Sequence, residues 1–174
     1  MICNMPTAPP ADKAGPVRVL LVDDHELVRQ AISLAFDGLP DIELVGQATL
    51  AVDGLMAARQ HRPDVVLLDR RLPDGDAVDV IGKFLQASPA SRVLVFTGYA
   101  DEEIAARVIE MGAAGLVLKA GQLNGLVTAI RRVAAGERVL PPDSPGELPV
   151  ILQPLARTSA SETAQANTVR IVRG

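Results

Sequence analysis

The stretch "DVVLLDRRLPDGDAV" spans residues 64–78 and contains the signal that decides the fold. Residues 65–68 are all apolar, and the run ends at Asp69. A short run that is apolar on both faces is typical of a strand inside a parallel sheet that helices cover on both sides. The Pro-Asp-Gly turn at 73–75 then separates this strand from a segment of helical period. We therefore expect a β/α unit with a carboxylate at the end of a buried strand.

The same alternation of apolar runs and helical periods extends to both sides of this unit. It predicts strands at 17–22, 42–48, 64–69, 92–98 and 115–119, and helices at 26–36, 52–61, 76–87, 101–112 and 123–136. Consecutive units of this kind predict an α/β fold with a five-stranded, parallel, doubly wound sheet.

The regular pattern is bounded by two segments of different composition. Residues 1–16 are rich in Pro and Ala, and residues 141–174 are rich in Pro and then in Ser, Thr and Ala. We expect a flexible N-terminal arm at 1–16, one domain at 17–140 and a flexible C-terminal tail at 141–174. The apolar segment "PVILQPL", residues 149–155, is a candidate for docking.

Composition excludes several functional classes. The net charge of -4 in 174 residues weighs against a nucleic-acid-binding surface. The single cysteine cannot form an internal disulfide, and no Cys/His cluster indicates a zinc site. No apolar run approaches the ~18 residues of a membrane span, and the first residues lack the pattern of a signal peptide. We therefore expect a cytoplasmic protein.

Polar residues stand where four of the predicted strands end. Asp23 and Asp24 follow the first strand, Asp69 ends the third, Thr97 lies at the end of the fourth and Lys119 ends the fifth. Ligands of an open parallel sheet bind beyond these carboxyl ends. Three carboxylates disfavour each other's ionisation unless a cation neutralises them, and carboxylate oxygens suit Mg²⁺. With an ammonium nearby, this set predicts phosphoryl transfer, with Asp69 as the nucleophile.

Other polar residues have simpler explanations. A strand-end Asp or Thr is often structural, and a single Lys is often a solvated charge. We expect His25 and His61 to be surface or helix-capping residues, because neither belongs to a recognisable motif of metal ligands.

The chain resembles the receiver domain of two-component response regulators. The resemblance rests on "VRVLLVDDHELVRQA", "PDVVLLDRRLPDGD", "VLVFTG" and "GAAGLVLKA", and it covers residues 17 to about 138. The segments "DDHELVRQA" and "AIRRVAAGERVLPP" are most similar to the NarL/FixJ subfamily. The resemblance implies a flavodoxin-like receiver fold that stores its signal as an aspartyl phosphate.

Each site residue then takes the role that the family's motif implies. Asp69 would be the phosphoacceptor, Asp24 a direct Mg²⁺ ligand and Asp23 a ligand acting through water. The backbone carbonyl of Arg71 would be a further Mg²⁺ ligand. The Asp69 carboxylate would itself also bind the ion.

The remaining motif residues concern the phosphoryl group and its loop. Thr97 and Lys119 would contact the phosphoryl group, and Pro73 would shape the loop after the acceptor. Arg71 and Tyr99 occupy the positions best placed to gate the water that hydrolyses the phosphate, which predicts a slowly hydrolysing bond.

Four features depart from the family pattern. Leu116 stands where an aromatic switch residue is frequent, and Ala77 stands where glycine is common. Arg70 and Arg71 follow the acceptor directly, and the segment after Leu140 has no recognisable helix-turn-helix effector. The phosphorylation chemistry is expected to be intact, whereas the output is not identified.

We interpret the chain as a phosphorelay receiver that takes its phosphoryl group from a histidine kinase or a phosphotransfer protein. It would not be an enzyme beyond its own phosphorylation and slow dephosphorylation. One alternative is a DNA-binding regulator whose effector domain is missing from this chain, and another is a pseudo-receiver that acts only as an interaction module. An aspartyl-phosphate phosphatase is disfavoured, because it needs an acid where Arg71 stands.

The partner surfaces are predicted from helical patterns. The donor is expected to dock near the first helix, and no direct DNA or membrane binding is expected. A weak homodimer is predicted through the fourth helix, fifth strand and fifth helix, on the apolar residues Ile104, Val108, Leu126 and Ile130.

Overall fold

A computed structural model describes residues 15–140 and 150–152. The strands are β1 (Val17–Val22), β2 (Ile42–Ala48), β3 (Val65–Asp69), β4 (Arg71–Leu72), β5 (Gly75–Asp76), β6 (Arg92–Thr97), β7 (Gly115–Leu118), β8 (Arg138–Leu140) and β9 (Val150–Leu152). The helices are α1 (Glu26–Asp37), α2 (Ala51–His61), α3 (Ala77–Ala87), α4 (Glu102–Glu110) and α5 (Leu123–Ala134).

The main sheet has the strand order β2-β1-β3-β6-β7-β8-β9. The first five of these strands are parallel, and in the central pairs Leu67 lies opposite both Leu21 and Leu94. The predicted doubly wound parallel sheet is therefore confirmed, with helix and strand ends shifted by a few residues at most, but five strands is too low a count, because two more strands extend the main sheet.

The sheet continues further than the sequence pattern predicted. β8 adds a parallel strand beside β7, and β9 pairs with β8 in the antiparallel direction. β8 can approach β7 because Gly115 has no side chain, whereas a Cβ at that position would collide with the carbonyl of Val139. A three-residue strand carries too little periodicity to be recognised in a sequence.

The prediction of a flexible tail at 141–174 falls mostly outside the described residues, as does nearly all of the predicted arm at 1–16. Within the tail, the described residues 150–152 form β9, which lies inside the apolar segment 149–155.

The core consists of two apolar layers, one on each face of the sheet. Val19 and Leu21 of β1 point into the layer that α1 and α5 cover, and Leu20 and Val22 point into the layer under α2, α3 and α4. All four are fully buried, as expected for a strand with helices on both sides.

The apolar residues on which the homodimer prediction rests pack in these two core layers. Val108, Leu126 and Ile130 are buried and Ile104 is half-buried against the core. Their helical spacing reflects packing on the sheet, so the apolar surface on which the dimer prediction rested is not exposed. None of the helices in the described part of the chain has the length and hydropathy needed to cross a membrane.

Candidate functional site

Four neighbouring strands end at one edge of the sheet, and each brings a polar side chain there. β1 leads into Asp23, β3 ends at Asp69, β6 ends at Thr97 and β7 leads into Lys119. These strands are parallel and adjacent, so their carboxyl ends share one edge. Asp23, Asp69 and Thr97 are buried at this edge. The structure thus brings together residues that are up to 96 positions apart (119 − 23) in the sequence.

Lys119 joins two of the carboxylates. Its Nζ donates a hydrogen bond to Asp69 Oδ2 at 2.8 Å and lies 2.7 Å from Asp23 Oδ2. The second contact is an ion pair rather than a well-directed hydrogen bond. The ammonium also lies 5.6 Å from the centre of the Phe96 ring, within the range of a cation–π interaction. The side chain is only 17% exposed, so this charge is held largely out of water.

Burial changes the protonation equilibria of this pair. Desolvation raises the pKa of the Asp69 carboxyl above its ordinary 3.8, and the charge of Asp23 adds to the rise, although the hydrogen bond from Lys119 opposes it. Burial alone would lower the pKa of Lys119, but its close contacts and charge interactions with Asp23 and Asp69 raise the pKa above its ordinary 10.5. The ammonium is therefore charged near neutral pH, and it neutralises only one of its two carboxylate partners.

His25 is the functional candidate that the sequence interpretation missed. It occupies the N-cap position of α1, but its side chain makes no capping hydrogen bond. Instead, its Nδ1 lies 2.8 Å from Asp24 Oδ1, 3.1 Å from Asp23 Oδ1 and 3.6 Å from Asp69 Oδ2. The side chain is 63% exposed, as expected for a surface histidine, but it contacts the carboxylates of the site, which the sequence interpretation did not anticipate. Its position directly after Asp23 and Asp24 is the one sequence signal that could have indicated this placement.

Thr97 is engaged with the loop that follows it. Its Oγ1 donates a hydrogen bond to the carbonyl of Tyr99 at 3.0 Å, and the Tyr99 side chain is 67% exposed. The hydroxyl is therefore at the site edge, bonded to the backbone of the segment leading to α4.

The residues after Asp69 form a small antiparallel ribbon. Arg71 and Leu72 of β4 pair with Asp76 and Gly75 of β5. The backbone N–H of Arg71 donates a hydrogen bond to the Asp69 carboxylate. Arg71 is otherwise an exposed residue. The gating roles of Arg71 and Tyr99 stay predictions, because these contacts involve backbone groups and the side chains lie at the surface.

The turn of this ribbon is tied to the neighbouring helix. The carboxylate of Asp74 accepts hydrogen bonds from the backbone N–H groups of Ala51 at 2.8 Å and Val52 at 3.0 Å. Although burial would raise the pKa of Asp74, these N–H groups lower it on balance. Pro73 lies exposed at the same turn. The loop after the acceptor is thus fixed to the start of α2.

Two departures from the family pattern have structural consequences. Leu116 is fully buried in the layer under α2, α3 and α4, so its side chain does not reach the surface. Ala77 is likewise fully buried at the first turn of α3.

The donor atoms at this edge suit a divalent cation. One ligand atom each from Asp23, Asp24, His25 and Asp69 can be chosen so that all lie within 4.8 Å of one another. Two bonds of about 2.1 Å on opposite sides of an ion span about 4.2 Å, so a small contraction would place all four around one centre. The three carboxylates are hard oxygen donors, which fits Mg²⁺.

Comparison with known proteins gives one consistent result. The family model described as the response regulator receiver domain matches residues 19–131. The response regulator GacA from Pseudomonas aeruginosa is 33% identical over 156 residues, covering 89% of this chain and 73% of that protein. The DNA-binding transcriptional activator DevR/DosR from Mycobacterium tuberculosis is 36% identical over 124 residues, covering 71% of this chain and 57% of that protein.

A solved structure gives the same picture. The signal receiver domain of the response regulator NarL from Mycobacterium tuberculosis has a TM-score of 0.66 and 31% identity, covering 70% of this chain and 98% of that chain. The chain therefore matches nearly all of an isolated receiver domain, but little more than half of the DevR/DosR relative.

Proposed function

We propose, from the premise that this chain belongs to the response regulator receiver domain family, that Asp69 is the residue that accepts the phosphoryl group. The observation that carries the proposal is Lys119, whose Nζ lies 2.8 Å from Asp69 Oδ2 and 2.7 Å from Asp23 Oδ2. A carboxylate at the end of a buried strand, with an ammonium already in contact, is prepared to carry a group of high negative charge.

The chemistry is a transfer between two nucleophiles. One oxygen of the Asp69 carboxylate attacks phosphorus while the P–N bond to a donor histidine breaks, and the electron pair returns to the histidine nitrogen. A Mg²⁺ ion held by Asp23, Asp24 and Asp69, with the Arg71 carbonyl as a further ligand, would offset the charge that spreads over the phosphoryl oxygens. Lys119, which contacts Asp69 Oδ2, would offset the same charge with its ammonium.

Thr97 couples the site to a loop. To bond a phosphoryl oxygen, its hydroxyl must give up the hydrogen bond to the Tyr99 carbonyl. That exchange frees the backbone between β6 and α4 to rearrange, which is the kind of two-state element that a covalent switch can bias.

The partners follow from this chemistry. The donor is a sensor histidine kinase or a histidine phosphotransfer protein, and the unit that receives the signal spans residues 17–140. Apart from its own phosphorylation and slow dephosphorylation, the chain would catalyse no reaction. A homodimer through α4, β7 and α5 would have to use exposed side chains of those elements, because Val108, Leu126 and Ile130 are buried.

A second output has a specific basis in one relative. DevR/DosR is by name a DNA-binding transcriptional activator, and this chain spans 57% of its length. If a gene encodes this receiver followed by an effector domain, phosphorylation of Asp69 would control DNA binding by that domain. The 174-residue chain itself is proposed to act as the receiver.

Phosphorylation by a small donor tests the proposal. The purified chain is incubated with acetyl phosphate and Mg²⁺, and intact-mass spectrometry counts the added phosphoryl groups. We expect one group on the wild type, none on Asp69→Asn, and strongly reduced labelling on Asp24→Ala or without Mg²⁺. Asp79→Asn, which changes an exposed carboxylate of α3, is the matched control and should label normally. Undiminished labelling of Asp69→Asn would refute the assignment.

A further inference from the structure

The side chain of His25 lies among the acids of the site for a local reason. Its own backbone N–H donates to Asp23 Oδ1 at 2.8 Å, and Arg29 Nη1 donates to the Asp23 carbonyl at 2.8 Å. These two bonds fix the turn between β1 and α1. A residue at the N-cap usually accepts a hydrogen bond from the first turn with its side chain, but His25 makes no such bond. Its imidazole is therefore available to the acids.

The contacts of Nδ1 with the carboxylates have hydrogen-bond and ion-pair lengths, and the same spacing is compatible with a shared coordination sphere. Neighbouring ligands on an octahedral ion with bonds of about 2.1 Å are separated by about 3.0 Å. Nδ1 lies 2.8 Å from Asp24 Oδ1 and 3.1 Å from Asp23 Oδ1, with Asp69 Oδ2 at 3.6 Å. Lys119 contacts Oδ2 of Asp23, whereas His25 faces Oδ1 of the same carboxylate. The lysine therefore leaves the Oδ1 side of Asp23 to the histidine.

We propose that His25 Nδ1 is a ligand of the divalent cation that Asp23, Asp24 and Asp69 hold, and that the site therefore prefers Mn²⁺ to Mg²⁺. This inference rests on the cation site of the proposed function and adds a nitrogen donor to it. Mg²⁺ favours oxygen ligands and keeps its waters, whereas the affinity of sites that contain nitrogen donors rises along the first-row divalent series that begins with Mn²⁺. A site with three carboxylates and one imidazole binds both ions but discriminates between them.

A different role for the same geometry leads to the opposite result. If the imidazole acts only as a counter-ion to the carboxylates, an incoming cation must displace it. Removing the side chain would then strengthen cation binding instead of weakening it. The two roles are therefore separated by the direction of one change in affinity.

Electron paramagnetic resonance of bound Mn²⁺ provides the test. Pulsed spectra of the full chain with Mn²⁺ should show coupling to an imidazole nitrogen, and isotopic labelling of histidine should change that coupling without altering the protein. The chain has two histidines, so His61→Asn is the matched control and should retain the coupling. His25→Asn should abolish it while keeping a residue that is favourable at an N-cap.

The affinities complete the test. We expect His25→Asn to weaken Mn²⁺ binding by about tenfold, the scale of change seen when metal sites lose a supporting group, and to change Mg²⁺ binding much less. Mn²⁺ that binds without any imidazole coupling, or binds more tightly to His25→Asn, would overturn the ligand role and leave the phosphoacceptor assignment intact. A wild type that binds neither cation, or whose cation affinity is unchanged by Asp24→Ala, would overturn the cation site itself.

Discussion

Removing the Lys119 ammonium tests how the site is held together in the folded protein. In Lys119→Met, the carboxylates of Asp23 and Asp69 lose their common partner while keeping their positions at the ends of β1 and β3. Asp23 has no exposed side-chain surface and Asp69 has only 6%. Water therefore cannot replace the lost cation without opening the edge of the sheet.

The magnitude follows from these distances. At 2.8 Å and an effective dielectric constant of about 20, each ion pair has a gross Coulomb energy of about 6 kcal/mol, most of which offsets desolvation. Breaking a buried pair by removing one partner costs about 3–5 kcal/mol. The free energy of unfolding of a typical native protein is about 5–15 kcal/mol. Lys119→Met should therefore still fold, but with a much smaller free energy of unfolding.

Urea unfolding followed by circular dichroism measures this loss. Near neutral pH without divalent cations, we expect the midpoint of Lys119→Met to fall by about 2 M, given a typical urea dependence of about 2 kcal/mol/M. The double variant Asp69→Asn/Lys119→Met should recover part of the loss, because one uncompensated carboxylate is gone. The exposed lysine of α3 supplies the control, and Lys83→Met should change stability by no more than about 0.5 kcal/mol.

The sign of the pH dependence gives a second readout. Because folding raises the pKa of Lys119, its contribution to stability is complete below 10.5 and is lost as the pH rises through the higher folded-state value. Folding also raises the pKa of Asp69, so its ionisation opposes folding above 3.8, and Asp69→Asn alone should stabilise the protein near neutral pH. If Lys119→Met unfolds at the same urea concentration as wild type, or if Asp69→Asn lowers the stability of that variant further, the buried ion-pair argument is refuted.

Three further predictions concern signalling. If Arg71 and Tyr99 gate the hydrolytic water, the double variant Arg71→Asn/Tyr99→Ala should lose its phosphate about tenfold faster, equivalent to about 1.4 kcal/mol of barrier; an unchanged decay rate would remove both residues from that role. The isolated chain, with its net charge of -4, should give no salt-sensitive mobility shift with DNA at sub-micromolar concentration, since phosphate contacts supply most of such affinity; an observed shift would contradict this. The homodimer prediction implies self-association that phosphorylation strengthens, and sedimentation showing a monomer in both states would exclude it.

The sequence alone determined the architecture and most of the residues at the polar edge of the sheet. Strands that are apolar on both faces alternate with helical periods, and this repeat has few compact solutions apart from a parallel sheet with helices on both sides. Once that sheet is assumed, its topology places Asp23, Asp69, Thr97 and Lys119 at one edge without any knowledge of coordinates. Local patterns were sufficient to locate these residues, because a residue at the carboxyl end of a parallel strand also lies at that edge of the sheet.

Only the tertiary structure decided which side chains touch. Helical spacing at Ile104, Val108, Leu126 and Ile130 is the same for a face that packs on a sheet and for one that binds a partner, and burial assigned three of them fully to the core. β8 depends on the approach of Val139 to Gly115, which lie 24 residues apart (139 − 115).

The placement of His25 also required the fold. A residue directly after two acids at the start of a helix can cap that helix, point into solvent or face the site, and its immediate neighbours do not distinguish these rotamers. Asp69 reaches the same edge from another strand, and the fold brings its Oδ2 to 3.6 Å from the imidazole. Contacts between strand ends depend on differences of a few tenths of an ångström in the separation of residues far apart in the chain, and periodicity carries no information at that scale.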